Sequence, residues 1–273
     1  MKVPVICLMM QFMLPGLSQA ELIMTAPPRE MAGDGDNTYG PLAEHLSSLL
    51  GEKVTYRQPK NWLEYQRDLR HDVYDIVFDG PHFVSWRIAH LNHEVLVKLP
   101  GSLEFVIIVA KDKDYIKGLN NLVGKRICAI PPPNLATLTA IDQFQNPVRQ
   151  PIIWGVSGGF NAVLAEFKRK VCPAAVFRTA FYNKRISAED RAGMRVLFQS
   201  KALPNQAISV SHRVKTIYKK QIIRSLTLDE SGKKAANAIV KRFGGKQVQS
   251  FTAASKEEYR QHSLLLEGVV FGW

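Results

Sequence analysis

The order of apolar and polar positions divides the chain into short buried strands and amphipathic helices. The stretch 122–142 shows this most clearly, because the apolar run Ile127–Ile130 is too short for a helix and stops at three prolines. Asn134 stands where a helix N-cap belongs, ahead of apolar residues at helical spacing. A strand that leads into a helix N-terminus is a candidate anion site, but from this turn alone an ordinary connection is the preferred interpretation.

The first third of the chain alternates strands and helices with compact turns between them. This order favours a mostly parallel sheet with helices on both faces. The predicted strands are Glu21–Ala26, Lys53–Arg57, Tyr74–Phe78 and Glu94–Lys98, and the predicted helices are Pro41–Leu50, Trp62–Leu69 and Phe83–Leu91.

A second α/β series follows the apolar strand Phe105–Ala110, which we interpret as a crossing, and Gln206–Ser211 is the expected return crossing. The predicted architecture is therefore two hinged lobes, with residues 21–105 plus about 215–273 in the first and 106–214 in the second. The remaining strands are predicted at Lys125–Ile130, Pro151–Trp154, Ala174–Phe177 and Met194–Phe198, and the helices at Leu135–Phe144, Gly159–Lys170, Val214–Ser225, Ser231–Phe243 and Lys256–Leu266.

The first twenty residues have the layout of a secretory signal. Lys2 precedes the mostly apolar stretch Val3–Leu17, and small residues lead to a predicted cleavage after Ala20. The apolar stretch is too short for a membrane span. We therefore expect a periplasmic, soluble mature protein of 253 residues, which is enough for one large or two medium domains.

Charge is unevenly placed in the expected mature chain. Residues 21–105 hold 8 Lys/Arg against 13 Asp/Glu, whereas residues 106–273 hold 27 against 11. A basic excess suits an anionic ligand, a membrane surface or nucleic acid, but it is also typical of a solvated basic face. Export and the absence of a nucleic-acid motif argue against nucleic acid.

Cys128 and Cys172 remain after the predicted cleavage. They can pair if their strands are neighbours in one sheet, but the sequence does not fix the distance between their Cα atoms. Free thiols are the preferred expectation.

Catalytic and metal-binding patterns are weak. His90, His93 and Glu94 lack further spaced partners, so an exposed helix end is preferred over a metal site. Asp79 and His82 lie near a turn, but no nucleophile elbow accompanies them. We therefore expect neither an enzyme nor a cofactor.

Four segments in order carry a resemblance to a known family. They are Tyr39–Leu46, Asp75–Pro81, Leu122–Arg126 and the turn Ser157-Gly158-Gly159. Together with the export signal, they resemble the phosphonate/phosphate-type solute-binding proteins of ABC transporters, which have the type II periplasmic binding protein fold. The resemblance implies a monomer that closes two lobes on a small oxyanion and presents it to an ABC permease.

The resemblance also implies where the ligand is held. Arg29 is a further candidate ligand residue that the resemblance does not imply. Its guanidinium can bind an anion through two hydrogen bonds, or it can simply face solvent. Where the family has small hydroxyl residues and glycine, this chain has Pro131-Pro132-Pro133, which favours a different or absent ligand and leaves a periplasmic sensor or accessory protein as the alternative. The implied contacts are Tyr39, Gly80, Pro81, His82, Asn134, Leu135, Ala136, Thr137, Ser157, Gly158 and Gly159.

Overall fold

The computed structural model describes residues 21–31, 33–245 and 248–267, so the predicted signal at 1–20 lies outside the described residues. Most of the predicted strands and helices are present. The first lobe begins with β1 (Leu22–Thr25), α1 (Asp34–Leu50), β2 (Val54–Tyr56), α2 (Trp62–Arg70), β3 (Ile76–Asp79), α3 (Pro81–His90) and β4 (Glu94–Lys98). The chain then passes through β5 (Ser102–Leu103) into a second group of elements.

The second lobe is built from alternating strands and helices between the two crossings. A short 3₁₀ turn at Leu119–Leu122 precedes its parallel strands. Its elements are β6 (Phe105–Ala110), β7 (Arg126–Ala129), α4 (Leu135–Ile141), β8 (Ile152–Gly155), α5 (Gly159–Lys168), β9 (Ala174–Arg178), α6 (Thr179–Arg185), α7 (Ala188–Ala192) and β10 (Met194–Gln199).

The C-terminal part returns to the first lobe. It starts with β11 (Leu203–Pro204) and β12 (Ala207–Val210). The helices α8 (Thr216–Thr227), α9 (Glu230–Ala235) and α10 (Asn237–Ile239) follow, then a π turn at Val240–Gly244, β13 (Thr252–Ala253), α11 (Lys256–Tyr259) and a 3₁₀ turn at His262–Leu265.

Both sheets are mixed, which corrects the prediction of mostly parallel sheets. In the six-stranded sheet, ordered β13-β4-β12-β3-β1-β2, β1 is parallel to β2 and β3, whereas β12 is antiparallel to both its neighbours. In the five-stranded sheet, ordered β10-β6-β9-β7-β8, β7 is parallel to β8 and β9, whereas β6 is antiparallel to β9. β6 is the first strand of the second lobe, and β12 is the first strand of the sheet in the first lobe after the chain returns. Apolar periodicity predicts that these segments are strands but does not predict their direction in the sheet.

The two crossings run side by side. β5 and β11 form a two-stranded ribbon in which Leu203 lies opposite Leu103. Both predicted crossings, Phe105–Ala110 and Gln206–Ser211, are wrong. β6 lies between β10 and β9 of the second sheet, and β12 lies between β3 and β4 of the first. A lobe boundary near 204 therefore fits the sheets better than the proposed boundary at 214.

Three predicted helices differ from the structure. The helix predicted over Lys256–Leu266 is divided into α11 and a 3₁₀ turn, because Arg260 is extended and Gln261 has a positive φ. α1 begins at Asp34, seven residues before the predicted start, because Gly33 adopts a left-handed conformation and Asp34 and Asp36 favour the helix N-terminus. The single helix predicted over Ser231–Phe243 is divided into α9, α10 and the π turn. Gly232 packs so closely on α8 that an added Cβ atom would lie 2.2 Å from the Ser225 carbonyl oxygen.

A disulfide joins Cys128 to Cys172, with 5.6 Å between their Cα atoms. The expectation of free thiols is wrong. Cys128 lies in β7 and Cys172 just before β9, and these strands are adjacent and parallel, with Ile127 opposite Ala174. This register brings the two cysteines within bonding distance.

No helix within the described ranges combines the length and the apolar composition that a membrane span needs.

Candidate ligand-binding site

The carboxyl ends of parallel strands gather the predicted site residues at one edge of each sheet. In the first lobe, the chain after β1 carries Arg29, and the chain after β3 carries Gly80, Pro81 and His82. In the second lobe, β7, β8 and β9 end at the turns that begin with Ile130, Val156 and Arg178. These edges are where open α/β sheets hold their ligands.

His82 connects the two edges. Its Nε2 lies 3.1 Å from the carbonyl oxygen of Pro133, so a first-lobe residue contacts a second-lobe turn. Burial lowers the pKa of His82 to about 3, which keeps the ring neutral. Because a carbonyl oxygen only accepts, Nε2 is the donor in this bond. Gly80 is required beside it, because a Cβ atom there would lie 2.8 Å from the imidazole ring.

The turn before α4 uses several of its polar groups internally. The Asn134 side chain accepts a hydrogen bond from the Ala136 N–H at 3.0 Å, as the predicted N-cap. The Thr137 hydroxyl donates to the carbonyl oxygen of Ile130. Leu135, Ala136 and Thr137 are all buried. The ligand role of these residues stays a prediction. In the structure they cap and pack the start of α4.

The turn before α5 is more open. Ser157 and Gly158 are exposed, and Gly158 and Gly159 have φ of 95° and 79°, a left-handed region that favours glycine. The Val156 N–H donates to the Ala129 carbonyl and ties the turn to β7. Backbone groups of this turn can therefore approach a ligand without steric hindrance from a Cβ atom.

Tyr39 is fully buried and stacks on Tyr56, with 5.0 Å between ring centroids. Burial raises its pKa, and its hydroxyl donates to Glu30 Oε1 at 3.4 Å. Arg29 lies closer to the sheet edge. Its Nη1 donates to Gln206 Oε1 at 2.8 Å, and its guanidinium carbon lies 5.4 Å from the centroid of the Phe243 ring. Arg29 thus contacts neutral groups, and within the described ranges no carboxylate forms an ion pair with it.

A buried ion pair beneath α3 was not predicted from the sequence. Arg87 Nη1 and Nη2 donate to the two Asp79 oxygens at 2.6 and 2.8 Å. Tyr65 donates to the same carboxylate, and Arg87 Nη2 also donates to Ser209 Oγ at 2.7 Å. Burial alone would lower the pKa of Arg87, but the Asp79 carboxylate raises it. The cluster fixes α3 on β3 and so positions His82.

Most of the chain matches one known protein family. Residues 24–259 match the model of the family described as "ABC transporter, phosphonate, periplasmic substrate-binding protein". The chain belongs to this family of phosphonate-type periplasmic substrate-binding proteins. Within 121 residues it is 26% identical to the phosphate-import protein PhnD of Mycolicibacterium smegmatis, a match that covers 41% of this chain and 37% of that relative.

Solved structures share the two-lobed fold of this periplasmic substrate-binding protein. PhnD1 of Prochlorococcus marinus in complex with methylphosphonate has a TM-score of 0.64 at 16% identity, covering 90% of this chain and 96% of that one. A Xanthomonas citri protein bound to ATP has a TM-score of 0.69 at 12% identity, covering 90% and 95%. At these identities the similarity establishes the fold alone.

The sequence reasoning missed a cation of this binding protein, Arg178. This residue is the last of β9 and is partly buried, and the described part of the chain gives its guanidinium neither a hydrogen bond nor an ion pair. Burial lowers its pKa. The hydroxyl of the next residue, Thr179, is also buried without a partner. An arginine that closes an otherwise apolar strand was the available signal.

His90 and His93, which were considered as metal ligands, each bond to a different carboxylate. His93 is buried with Nε2 2.7 Å from Asp72 Oδ1, whereas His90 lies on the surface with Nε2 3.0 Å from Glu267 Oε1. Among the residues that the structure describes, no group of three or more His, Cys, Asp or Glu side chains is arranged to hold a metal ion.

Proposed function

We propose that the mature protein is exported and binds a small phosphonate- or phosphate-like oxyanion between its two lobes. It then presents this solute to an ABC permease in the inner membrane. The family match and the two-lobed fold support this role, and we expect the protein to act as a monomer without catalysing a reaction.

One observation carries the proposal: the strand edges that open α/β sheets use for ligands contact each other across the lobes, through His82 and Pro133. A solute held there touches both lobes at once and stabilises the closed arrangement relative to an open one. The partly buried Arg178 and the positive charge of Arg29 give this region the sign that an oxyanion requires.

A thermal-shift panel tests the proposal. Because a ligand that binds only the folded state raises its stability by RT ln(1 + [L]/Kd), a true ligand raises Tm in a concentration-dependent way. Phosphate, methylphosphonate, 2-aminoethylphosphonate and sulfate are compared with sodium chloride at equal ionic strength. We expect a rise in Tm with at least one phosphorus oxyanion, and no rise with any of them would contradict oxyanion binding.

A periplasmic sensor or accessory protein is the second candidate function. The observation that favours it is the turn before α4, where Asn134 and Thr137 make bonds within the protein. Cross-linking in intact cells separates the two roles. A receptor captured in place of a permease would support the sensor, whereas a permease subunit would support transport.

A further inference from the structure

Arg178 lies at the ligand-binding edge of the second sheet, next to the ribbon of β5 and β11. It ends β9, the strand between β6 and β7, at the same sheet edge as the turns after β7 and β8. In register it lies opposite Phe105, the first residue of β6. The next residue, Thr179, donates its N–H to the Glu104 carbonyl oxygen at 2.8 Å. Arg178 therefore lies where the second lobe meets the ribbon.

Arg29 occupies a comparable place in the first lobe. Its partner Gln206 follows β11 by two residues, just as Phe105, which lies opposite Arg178, follows β5 by two residues. Each arginine is therefore held beside a residue that flanks the ribbon of β5 and β11, Arg29 in the first lobe and Arg178 in the second.

A partly buried guanidinium without a partner is unfavourable for the folded protein. Removing a charge from water costs free energy unless an opposite charge or hydrogen bonds compensate for it. Arg87 shows the compensated case, with a bidentate carboxylate and a hydroxyl. Among the described residues Arg178 has no such partner, and neither has the buried Thr179 hydroxyl next to it in sequence. An oxyanion is a ligand that accepts hydrogen bonds from guanidinium and hydroxyl groups.

Two carboxylates of the surrounding segments already have cationic partners. Asp79 is bound by Arg87 and Glu30 forms an ion pair with Arg242, whereas Glu104 keeps its negative charge and accepts an exposed hydrogen bond from the neutral Gln199 amide at 2.9 Å. An ammonium group of a ligand held by Arg178 would meet a like charge. The ligand group that fits beside Arg178 is therefore negative.

Resting on the proposed function, we propose that Arg178 anchors the ligand in the second lobe and selects oxyanions without a cationic group. The class includes phosphate, alkylphosphonates and phosphonocarboxylates, and it disfavours aminoalkylphosphonates. The planar guanidinium can donate two parallel hydrogen bonds to phosphoryl oxygens, which a lysine ammonium cannot do.

Calorimetric titration of the mature protein at pH 8 tests this anchor. Methylphosphonate and phosphate are titrated into wild type, Arg178→Gln and Arg178→Lys, with Arg185→Gln, an exposed arginine at the end of α6, as the matched control. We expect Arg178→Gln to weaken binding roughly 10- to 150-fold or more, where this range is the equivalent of losing one charge-assisted hydrogen bond. Arg178→Lys should weaken it less, and Arg185→Gln should bind like wild type.

The ligand-free proteins supply a second readout. Because glutamine removes an uncompensated charge, Arg178→Gln should melt at the same temperature as wild type or higher while binding more weakly. A lower Tm without ligand would assign Arg178 a structural role and overturn the anchor. Equal affinity of Arg178→Gln and Arg185→Gln would overturn it as well, with oxyanion binding left intact.

Selectivity tests the ligand class separately. Wild type should bind methylphosphonate more tightly than 2-aminoethylphosphonate, and Arg178→Gln should reduce this preference. Tighter binding of 2-aminoethylphosphonate by wild type would overturn the proposed class. If wild type binds none of these anions, the proposed function fails and the anchor fails with it.

Discussion

At the scale of single residues, buried polar groups organise the region around the cleft. The side chains of Asp79 and Arg87 are 0% and 1% exposed. Removing either one would leave the other as a buried charge without an ion-pair partner, which destabilises the folded protein. The pair joins the end of β3 to α3 and thereby fixes the helix that begins beside His82. His82 itself is neutral and fully buried between the lobes. Two buried groups with different chemistry thus determine the position of one cleft wall.

Replacing Arg87 with methionine should lower the free energy of unfolding by about 3–5 kcal/mol, because Asp79 is left as an uncompensated buried charge. Urea denaturation of wild type and Arg87→Met measures the loss. Arg185→Met, at an exposed position, should change stability by less than about 0.5 kcal/mol. A loss for Arg87→Met no larger than that of the control would contradict the role of the pair.

The pH dependence of stability should report His82. Its pKa is about 3 in the folded protein against a usual value of 6.5, so below pH 6.5 the unfolded chain binds a proton that the folded chain does not. The stabilisation is present above pH 6.5 and is lost as pH falls towards 3, with a slope of up to about 1.4 kcal/mol per pH unit. His93, whose pKa burial lowers to about 4, acts in the same direction.

His82→Gln is the variant that isolates this effect, because a glutamine amide can still donate to Pro133 but does not titrate. Between pH 6.5 and pH 4.5, its unfolding free energy should fall less steeply than that of wild type. Urea denaturation at several pH values measures both slopes. Parallel slopes would show that His82 is protonated equally in the folded and unfolded chains.

At the scale of elements, the disulfide links two neighbouring strands of the second lobe. Cys128 and Cys172 are 44 residues apart in sequence and enclose α4, β8 and α5. Closing a loop of this length restricts the unfolded chain, and removing such a bond typically costs about 2–4 kcal/mol. The bond therefore holds together the strands that carry the second cleft wall.

Dithiothreitol should lower the Tm of wild type and leave the Tm of a Cys128→Ser/Cys172→Ser variant unchanged. The variant should melt near the temperature of the reduced wild type, since both lack the same constraint. Thermal melting followed by circular dichroism provides the comparison. An identical Tm for oxidised wild type and the variant would contradict a stabilising disulfide.

Local patterns predicted most elements because each strand–helix unit carries its own apolar run and cap. Ile127–Ile130 and Asn134 are examples in which the structure follows the pattern closely. The antiparallel direction of β6 and β12 was not predictable, since it depends on how the chain passes between lobes. The disulfide was left open for the same reason, because strand neighbours are a tertiary property.

The candidate site was predictable only in part. His82 and Ser157-Gly158-Gly159 were found from ordered motifs, and the structure places them at the cleft edges. Arg178 was missed because the local signal, an arginine at the end of an apolar strand, is weak among many basic residues, and its surroundings become visible only in the fold. The burial of Tyr39 was likewise invisible, since it depends on packing against Tyr56.

At the scale of the whole molecule, the two lobes meet through both polar and apolar contacts. Leu138 of α4 belongs to the buried cluster that includes Phe83, Trp86 and Leu266 of the first lobe. His82 adds the hydrogen bond to Pro133. The ribbon of β5 and β11 connects the lobes at one end and allows a hinge between an open and a closed state. Ligand binding and lobe closure are coupled in this account.

Calorimetric titration of methylphosphonate and phosphate into the dialysed wild-type protein shows whether the chain binds an oxyanion. We expect at least one of them to bind with a stoichiometry of one per chain and a Kd of about 1 μM or below. Absence of binding heat for both, at several temperatures and up to millimolar ligand, would contradict a phosphonate-type binding protein.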